Sequence, residues 1–388
     1  MISVKKDSNI KLDSYIKNFL NPRYVFLPIE DGYKLKVKDN TYVYKNDIIM
    51  ISSNKPSIHS PISGKVLGIK DMDYFKKGKK TSLVIENDFK ENIRIKKSVK
   101  KYIKNYTRDN FMNILIDTSL THKNKYIYEK FITPPKNMII NGIEIDPYFG
   151  NKYFTIIEHI EEVLETADLI SNIYSIDNII LAIRNTESEI VDKIYNLIGT
   201  YPNITLRLFN DGYALGINEY LSDVIGLKES LVLEVDELYD IYNVLKREVP
   251  VTEKLITISG EGVTPKKVLR VKRGTLLSEA FITNFDFTYK SVDVYINGMM
   301  MGNLVNSLKY VIDDDIEGLI ILEKEDKQET LCINCGLCHK NCPKDLYPKY
   351  VYDHKGRVKE DYRAGCLGCG LCNYVCPANR DLKKYMKG

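Results

Sequence analysis

The first 331 residues of this 388-residue chain contain no cysteine, and tryptophan is missing altogether. A secreted disulfide scaffold spreads its cysteines through a short chain, so this distribution excludes a disulfide framework. Long apolar runs are missing too. The most apolar stretches, 178-NIILAI-183 and 111-FMNILI-116, have strand or short-helix length and fall far below the ~18 uncharged residues needed to cross a bilayer. Any membrane association is therefore expected to be peripheral. The opening segment MISVKKDSNIKLDSYIKNFL is interrupted by charges and has no apolar core ahead of a cleavage site, which predicts a cytoplasmic protein. Charge of one sign is not in excess: 56 Lys plus Arg against 52 Asp plus Glu leave +4, too balanced to indicate a nucleic-acid partner.

A hydrophobic share of 44% and a charged share of 28% are ordinary for a globular protein. The length implies two or three domains at ~150 residues each. Short β-strands are predicted at 24–29, 33–38, 48–53 and 65–70, separated by Asp31-Gly32, Asp39-Asn40 and 60-SPISG-64. A basic run follows, with Lys96, Lys97, Lys100, Lys101, Lys104 and Arg108 around Ile95, Val99 and Ile103. It reads as a linker helix or a solvated face. From about residue 137 strands alternate with helices. The strand at 138–140 precedes a helix over 153–174, where Ile156, Ile160, Val163, Leu164, Ala167 and Ile170 share one face. Then come a strand at 178–184, a helix opened by a capping box at Thr186 to Glu189, a strand at 203–209 and a helix over 236–247. This order predicts a parallel sheet. Strands at 255–260, 268–274 and 292–298 with a short helix near 276–281 make a small α+β unit, and the last domain starts near Thr330.

All eight cysteines stand in that last domain. They read Cys332-x2-Cys335-x2-Cys338-x3-Cys342-Pro343, then Cys366-x2-Cys369-x2-Cys372-x3-Cys376-Pro377. Thiolates at this spacing wrap three corners of a [4Fe-4S] cube, and the cysteine before proline reaches the other cube in two-cluster ferredoxins. The rule assigns Cys332, Cys335, Cys338 and Cys376 to cluster 1, and Cys366, Cys369, Cys372 and Cys342 to cluster 2. Gly336, Gly368 and Gly370 suit positive φ and close backbone approach around a cube. Zinc sites pair one CxxC with a distant CxxC and leave the third and fourth cysteines of each run without a role. A dicluster passes single electrons between neighbours, so the function is a relay.

The order of parts resembles the C subunit of the Rnf electron-transport complex, a family related to the flavin-binding subunit of respiratory NADH dehydrogenase. The likeness rests on 58-IHSPISGKVLGI-69, 139-IINGIEIDPYF-149, 248-EVPVTEKLITISGEGVTPKKVLRVKRGT-275, 297-NGMMMG-302 and the cysteine tail. It implies an N-terminal barrel-sandwich β module at 1–88, a central α/β domain with a parallel sheet at 89–249, a β-grasp module at 250–328 and a helical two-[4Fe-4S] ferredoxin domain at 329–388. It also implies redox protein partners, foremost the other members of a membrane electron-transport complex, with this chain on the inner face of the membrane. One departure stands out. The family's glycine-rich loop before the Asn-Gly strand corresponds to 111-FMNILIDTSLTHKNKYIYEKFITPP-135, and no glycine occurs from Lys79 through Asn141. A backbone that approaches phosphate closely needs that missing Cβ, so neither FMN nor NADH is expected. Asp146 stands where the family has a second glutamate, leaving Glu144 as the matching acid.

Other candidates read as structure. His59 sits in a Ser-Pro turn, Lys55 lacks the flanking residues of a lipoyl or biotinyl lysine, and Met299, Met300 and Met301 are adjacent and cannot converge on one ion. The expected function is that of an Rnf C-like electron-transfer subunit in an oxidoreductase complex, with no catalytic residue of its own. Alternatives are the partner of a soluble amino-acid reductase such as proline reductase, a flavin-dependent NADH dehydrogenase subunit with a rebuilt nucleotide site, and an assembly paralogue.

Overall fold

The computed structural model describes residues 12 to 386 except 95–98, 101, 102, 104, 186, 187, 211, 228, 326 and 327. At its centre four short apolar strands run parallel in the order Ile204–Phe209, Asn178–Arg184, Asn137–Asn141 and Ser230–Glu234. Successive side chains in a strand point to opposite faces, and a parallel sheet is covered on both. Met138 and Ile140 enter a core shared with helices α1 (Arg108–Asp117), α2 (Asn151–Tyr174), α3 (Ser188–Ile198) and α5 (Val235–Arg247). Ile139 enters a second core with α4 (Asn218–Ile225). The apolar face read for α2 is buried from Ile156 to Ile170. That helix bends at His159, whose φ of −138° is non-helical, and the imidazole stacks on Tyr239 of α5 with centroids 3.9 Å apart.

The chain leaves Asn137–Asn141, adds two strands on one side, then crosses back to place Ser230–Glu234 on the other. This reversal makes a switch point between Asn141 and Glu234, the position where open α/β sheets present a crevice to ligands.

A six-stranded mixed sheet follows, in the order Lys17–Phe19, Lys267–Lys272, Glu253–Ser259, Gly318–Glu323, Val292–Ile296, Asn303–Val305. Helix α6 (Leu277–Asn284) buries Leu277, Ala280 and Phe281 against it. The N-terminal strands form an antiparallel four-stranded sheet and a three-stranded one around Val25, Ile49, Ile62 and Ile85. The molecule is thus a mixed α/β protein with several sheets, one wholly parallel, ahead of the cysteine tail.

Two sequence expectations change. The basic segment forms no linker helix among its described residues: helix begins only at Arg108, where the Thr107 hydroxyl accepts from the Asn110 amide at 3.3 Å. Lys100 pairs instead with Glu248 at 2.6 Å, and Ile103 is buried. Lys96, Lys97, Lys101 and Lys104 lie outside the described residues, as do Thr186 and Glu187 of the expected capping box. The strands Ser230–Glu234 and Gly318–Glu323 are additions that the sequence pattern does not predict.

Candidate metal centre

Each cysteine run folds through the same turns. Asn334 and Gly368 have φ of 56° and 62°, then Gly336 and Gly370 have φ of 72° and 77° and open one-turn helices at Leu337–Lys340 and Leu371–Tyr374. Past each helix the Cys342 amide donates to the His339 carbonyl at 2.9 Å and the Cys376 amide to the Asn373 carbonyl at 3.1 Å. Backbone N–H groups are thereby turned towards sulfur. The Asn334 amide lies 3.4 Å from the Cys332 Sγ. Amides of His339 and Lys349 reach Cys338, that of Leu371 reaches Cys369, and that of Asn373 reaches Cys372. Hydrogen bonds to sulfur are among the factors that set a cluster's potential.

The runs also interleave. Cys342 of the first run lines one small cavity with Cys366, Cys369 and Cys372 of the second. Cys376 of the second run lies beside Cys338 of the first. Cys332 is close to Lys349, and Cys335 is exposed. Burial raises the thiol pKa of Cys338, Cys369 and Cys372, the last to about 12. A lone buried thiolate is costly, and a bound metal offsets that cost by deprotonating its ligands. Soft, clustered sulfur donors, ranging from exposed Cys335 to buried Cys369 and with amides turned towards them, fit an iron–sulfur group.

The two runs differ in surroundings. Cys369 is 9% exposed and packs with Tyr213, Met300 and Leu371, whereas Leu331 at the edge of the first run is 86% exposed. Gly370 meets the body so closely that an added Cβ would lie 2.1 Å from the Met300 carbonyl oxygen. The Lys383 ammonium donates to that same oxygen at 2.9 Å. Met300 therefore packs, as its sequence suggested, and does so against a cysteine loop.

The switch-point crevice lies on the same body. Its strand ends carry buried Asn141 and Glu234. Asn141 Nδ2 donates to the Asn218 Oδ1 at 2.6 Å, and Asn218 Nδ2 donates to Glu234 at 2.9 Å. Glu234 also pairs with the ammonium of Lys123 and, at 2.9 Å, with that of Lys152. Against the cost of burial, Lys123, Lys152 and His122 hold the Glu234 carboxyl well below the usual carboxylate range. Burial disfavours the charged form of His122, but Glu237, Asp236 and Glu234 outweigh it and push its pKa up to about 9.

Helix N-termini beside such a crevice are the usual seats for phosphate. Here both hold the chain's own carboxylates. Glu144 accepts from the amides of Lys152 and Tyr153 at 2.7 and 3.0 Å on α2. Glu234 and Glu237 form a reciprocal capping box on α5. A cavity of about 420 Å³ adjoins, lined by His122, His159, Asp236, Asp240 and Arg273 among others but by no glycine. Lys45, Lys123, Arg247, Lys254 and Arg270 line it as well, so cations face the cavity alongside the acids. His122, Glu234 and Asp236 lie close enough to converge on a metal ion, and two ammonium groups already hold Glu234 there.

His59 is half-buried in a two-residue strand, where burial lowers its pKa to about 4. The Lys55 ammonium lies over the Tyr33 ring. Neither joins the cysteines or the crevice. The Glu234 network escaped sequence reasoning because its members come from three distant segments with no shared period.

Residues 331–380 match the family described as 4Fe-4S dicluster domain, and residues 118–232 match the family described as Nuo51 FMN-binding domain. Tail and body together define an iron–sulfur electron-transfer protein built on a body like that of a flavin-binding subunit. The chain is 27% identical over 361 residues to the C subunit of the ion-translocating oxidoreductase complex of Buchnera aphidicola, covering 85% of this chain and 75% of that one. It is 25% identical over 354 residues to the C subunit of the proton-translocating ferredoxin:NAD(+) oxidoreductase complex of Clostridium ljungdahlii, covering 84% and 76%. A solved NAD+-reducing [NiFe]-hydrogenase in its H2-reduced state shares the fold, with a TM-score of 0.52 at 13% identity over 72% of this chain and 62% of that one. The chain is a homologue of the Rnf complex's C subunit. No helix among the described residues is long and apolar enough to cross a membrane.

Proposed function

We propose that this chain relays single electrons within an Rnf-type, membrane-associated electron-transport complex. Cys332, Cys335, Cys338 and Cys376 hold one [4Fe-4S] cluster, and Cys366, Cys369, Cys372 and Cys342 hold the other. The observation that carries the reading is the interleaving of the runs, with Cys342 among the second set and Cys376 beside the first. When bound, the clusters supply reversible one-electron chemistry. The chain's own residues bury the second set against the body, leave the first towards solvent and direct amides at sulfur. The partners are redox proteins, foremost other subunits of the complex, on the cytoplasmic face of the membrane. The body is read as barrel-sandwich, α/β and β-grasp modules at 1–88, 89–249 and 250–328. Protein isolated without oxygen is expected to carry about eight irons, as two such clusters require. A metal analysis showing zinc alone sinks the proposal.

We infer further that the body holds neither FMN nor NADH. Support comes from the absence of glycine from Lys79 through Asn141 and from the carboxylates already seated at both helix N-termini. The match of residues 118–232 to an FMN-binding domain favours the second reading, a flavin-dependent subunit with a rebuilt site. Fluorescence of the supernatant after denaturation decides: stoichiometric FMN establishes the second reading, and none supports the first.

A further inference from the structure

We propose that Asp146 is a proton-binding site coupled to the redox state of the Cys342, Cys366, Cys369 and Cys372 set, with Tyr213 as the group between them. The proposal rests on the ligation given above for that set.

Asp146 is 1% exposed. Its Oδ1 accepts from the Tyr148 amide at 3.0 Å, but its Oδ2 has no hydrogen-bond partner. Buried polar atoms are rarely left so, and an ionised carboxylate there carries a large desolvation cost. The backbone closes over that oxygen: Gly298 has φ of +91°, and a Cβ built on it would lie 2.2 Å from the Oδ2. Tyr213 lies within electrostatic reach of Asp146. Its hydroxyl is also buried and unpartnered, and its ring packs with Cys369, Met300 and Leu371. After burial, the charges of Asp146 and then Cys369 are what hold the Tyr213 proton in place, so this side chain is within electrostatic reach of both.

The spacing is fixed by packed backbone. Gly370 abuts the Met300 carbonyl, and Lys383 holds the same oxygen. Tyr213, which shares a buried cluster with Cys369, is the titratable group on which the Asp146 charge acts. Glu144 turns instead to the amides of α2, and among the described residues no cation pairs with Asp146. Burial pushes the Asp146 carboxyl up to about 6, partly opposed by the Tyr148 amide. One further negative charge in this water-poor region favours the protonated form more strongly. Asp146 in its carboxylate form then takes one proton from solvent as the cysteine set takes one electron from the reductant, and it returns that proton on reoxidation.

The test is an anaerobic potentiometric titration of the full-length holoprotein, reduced with titanium(III) citrate and followed by electron paramagnetic resonance at a series of pH values. One cluster's potential is expected to fall by up to about 59 mV per pH unit above about pH 6, the one-electron equivalent of a tenfold change, while the other stays flat. Asp146→Asn removes the slope and leaves the potential of the Cys332, Cys335, Cys338 and Cys376 cluster unchanged. Tyr213→Phe, which keeps the ring, retains the slope. In wild-type protein the reduced-minus-oxidised infrared spectrum gains a protonated-carboxyl band, which needs no variant to fold. Two pH-independent potentials without that band, or an unchanged slope in Asp146→Asn, overturn the inference while the clusters stand. Protein that binds no iron overturns the ligation and the inference together.

Discussion

Glu234 sits at the end of a central strand, where three cationic side chains meet it. Lys152 is itself buried, and its ammonium also donates to the Ile143 carbonyl at 3.0 Å. Replacing Glu234 by Gln leaves that charge uncompensated, and a loss of about 3–5 kcal/mol is expected in denaturant melts. The network also has two pH limits of opposite sign. Folding lowers the Glu234 pKa, so its contribution is present above the ordinary glutamate value near ~4.3 and is lost as pH falls through the folded value. Folding raises the His122 pKa to about 9, so its contribution is whole below ~6.5 and is lost as pH rises through about 9. His122→Gln should flatten the alkaline fall of Tm and, because His122 also helps hold the Glu234 pKa down, shrink the acid limb as well. At the cysteines, Cys376→Ser should deplete the cluster of Cys332, Cys335 and Cys338 and spare the other, seen as loss of one of two paramagnetic signals. Residues at this scale were unevenly legible: thiol spacing announces itself, whereas Glu144 as a helix cap and Glu234 as an ion-pair hub depend on contacts across the fold.

Elements with a sustained period were legible. Asn178–Arg184 stands as predicted, and α2 and α5 begin within two residues of their expected starts. Ser230–Glu234 and Gly318–Glu323 were not, because short apolar runs buried on both faces lack alternation. The docking of the second cysteine loop was also invisible, since Tyr213 and Met300 carry no signal for it. Paired glycines test that docking. Gly336 and Gly370 share the left-handed conformation, yet a Cβ at Gly336 meets nothing within 4 Å while one at Gly370 collides with Met300. Alanine at either should cost about 1–2 kcal/mol of backbone strain. Only Gly370→Ala should raise hydrogen exchange across 299–301 and 366–374; equal effects of both variants would remove the case for a fitted contact.

Across the whole molecule, the tail presents unlike ends to its surroundings, one loop pressed on the body and one towards solvent. In metal-free protein, mass mapping of alkylated thiols should find Cys335 modified first and Cys369 last, as their exposure dictates. The proposed exchange of Cys342 and Cys376 between the runs has a consequence for biosynthesis. A newly made chain that has released its first run still lacks one donor for that centre, and the missing thiol emerges with the second run. On that ligation the centre of the first run is completed only after the tail is translated, and a ribosome stalled between Cys342 and Cys366 leaves a product with neither set of four cysteines complete.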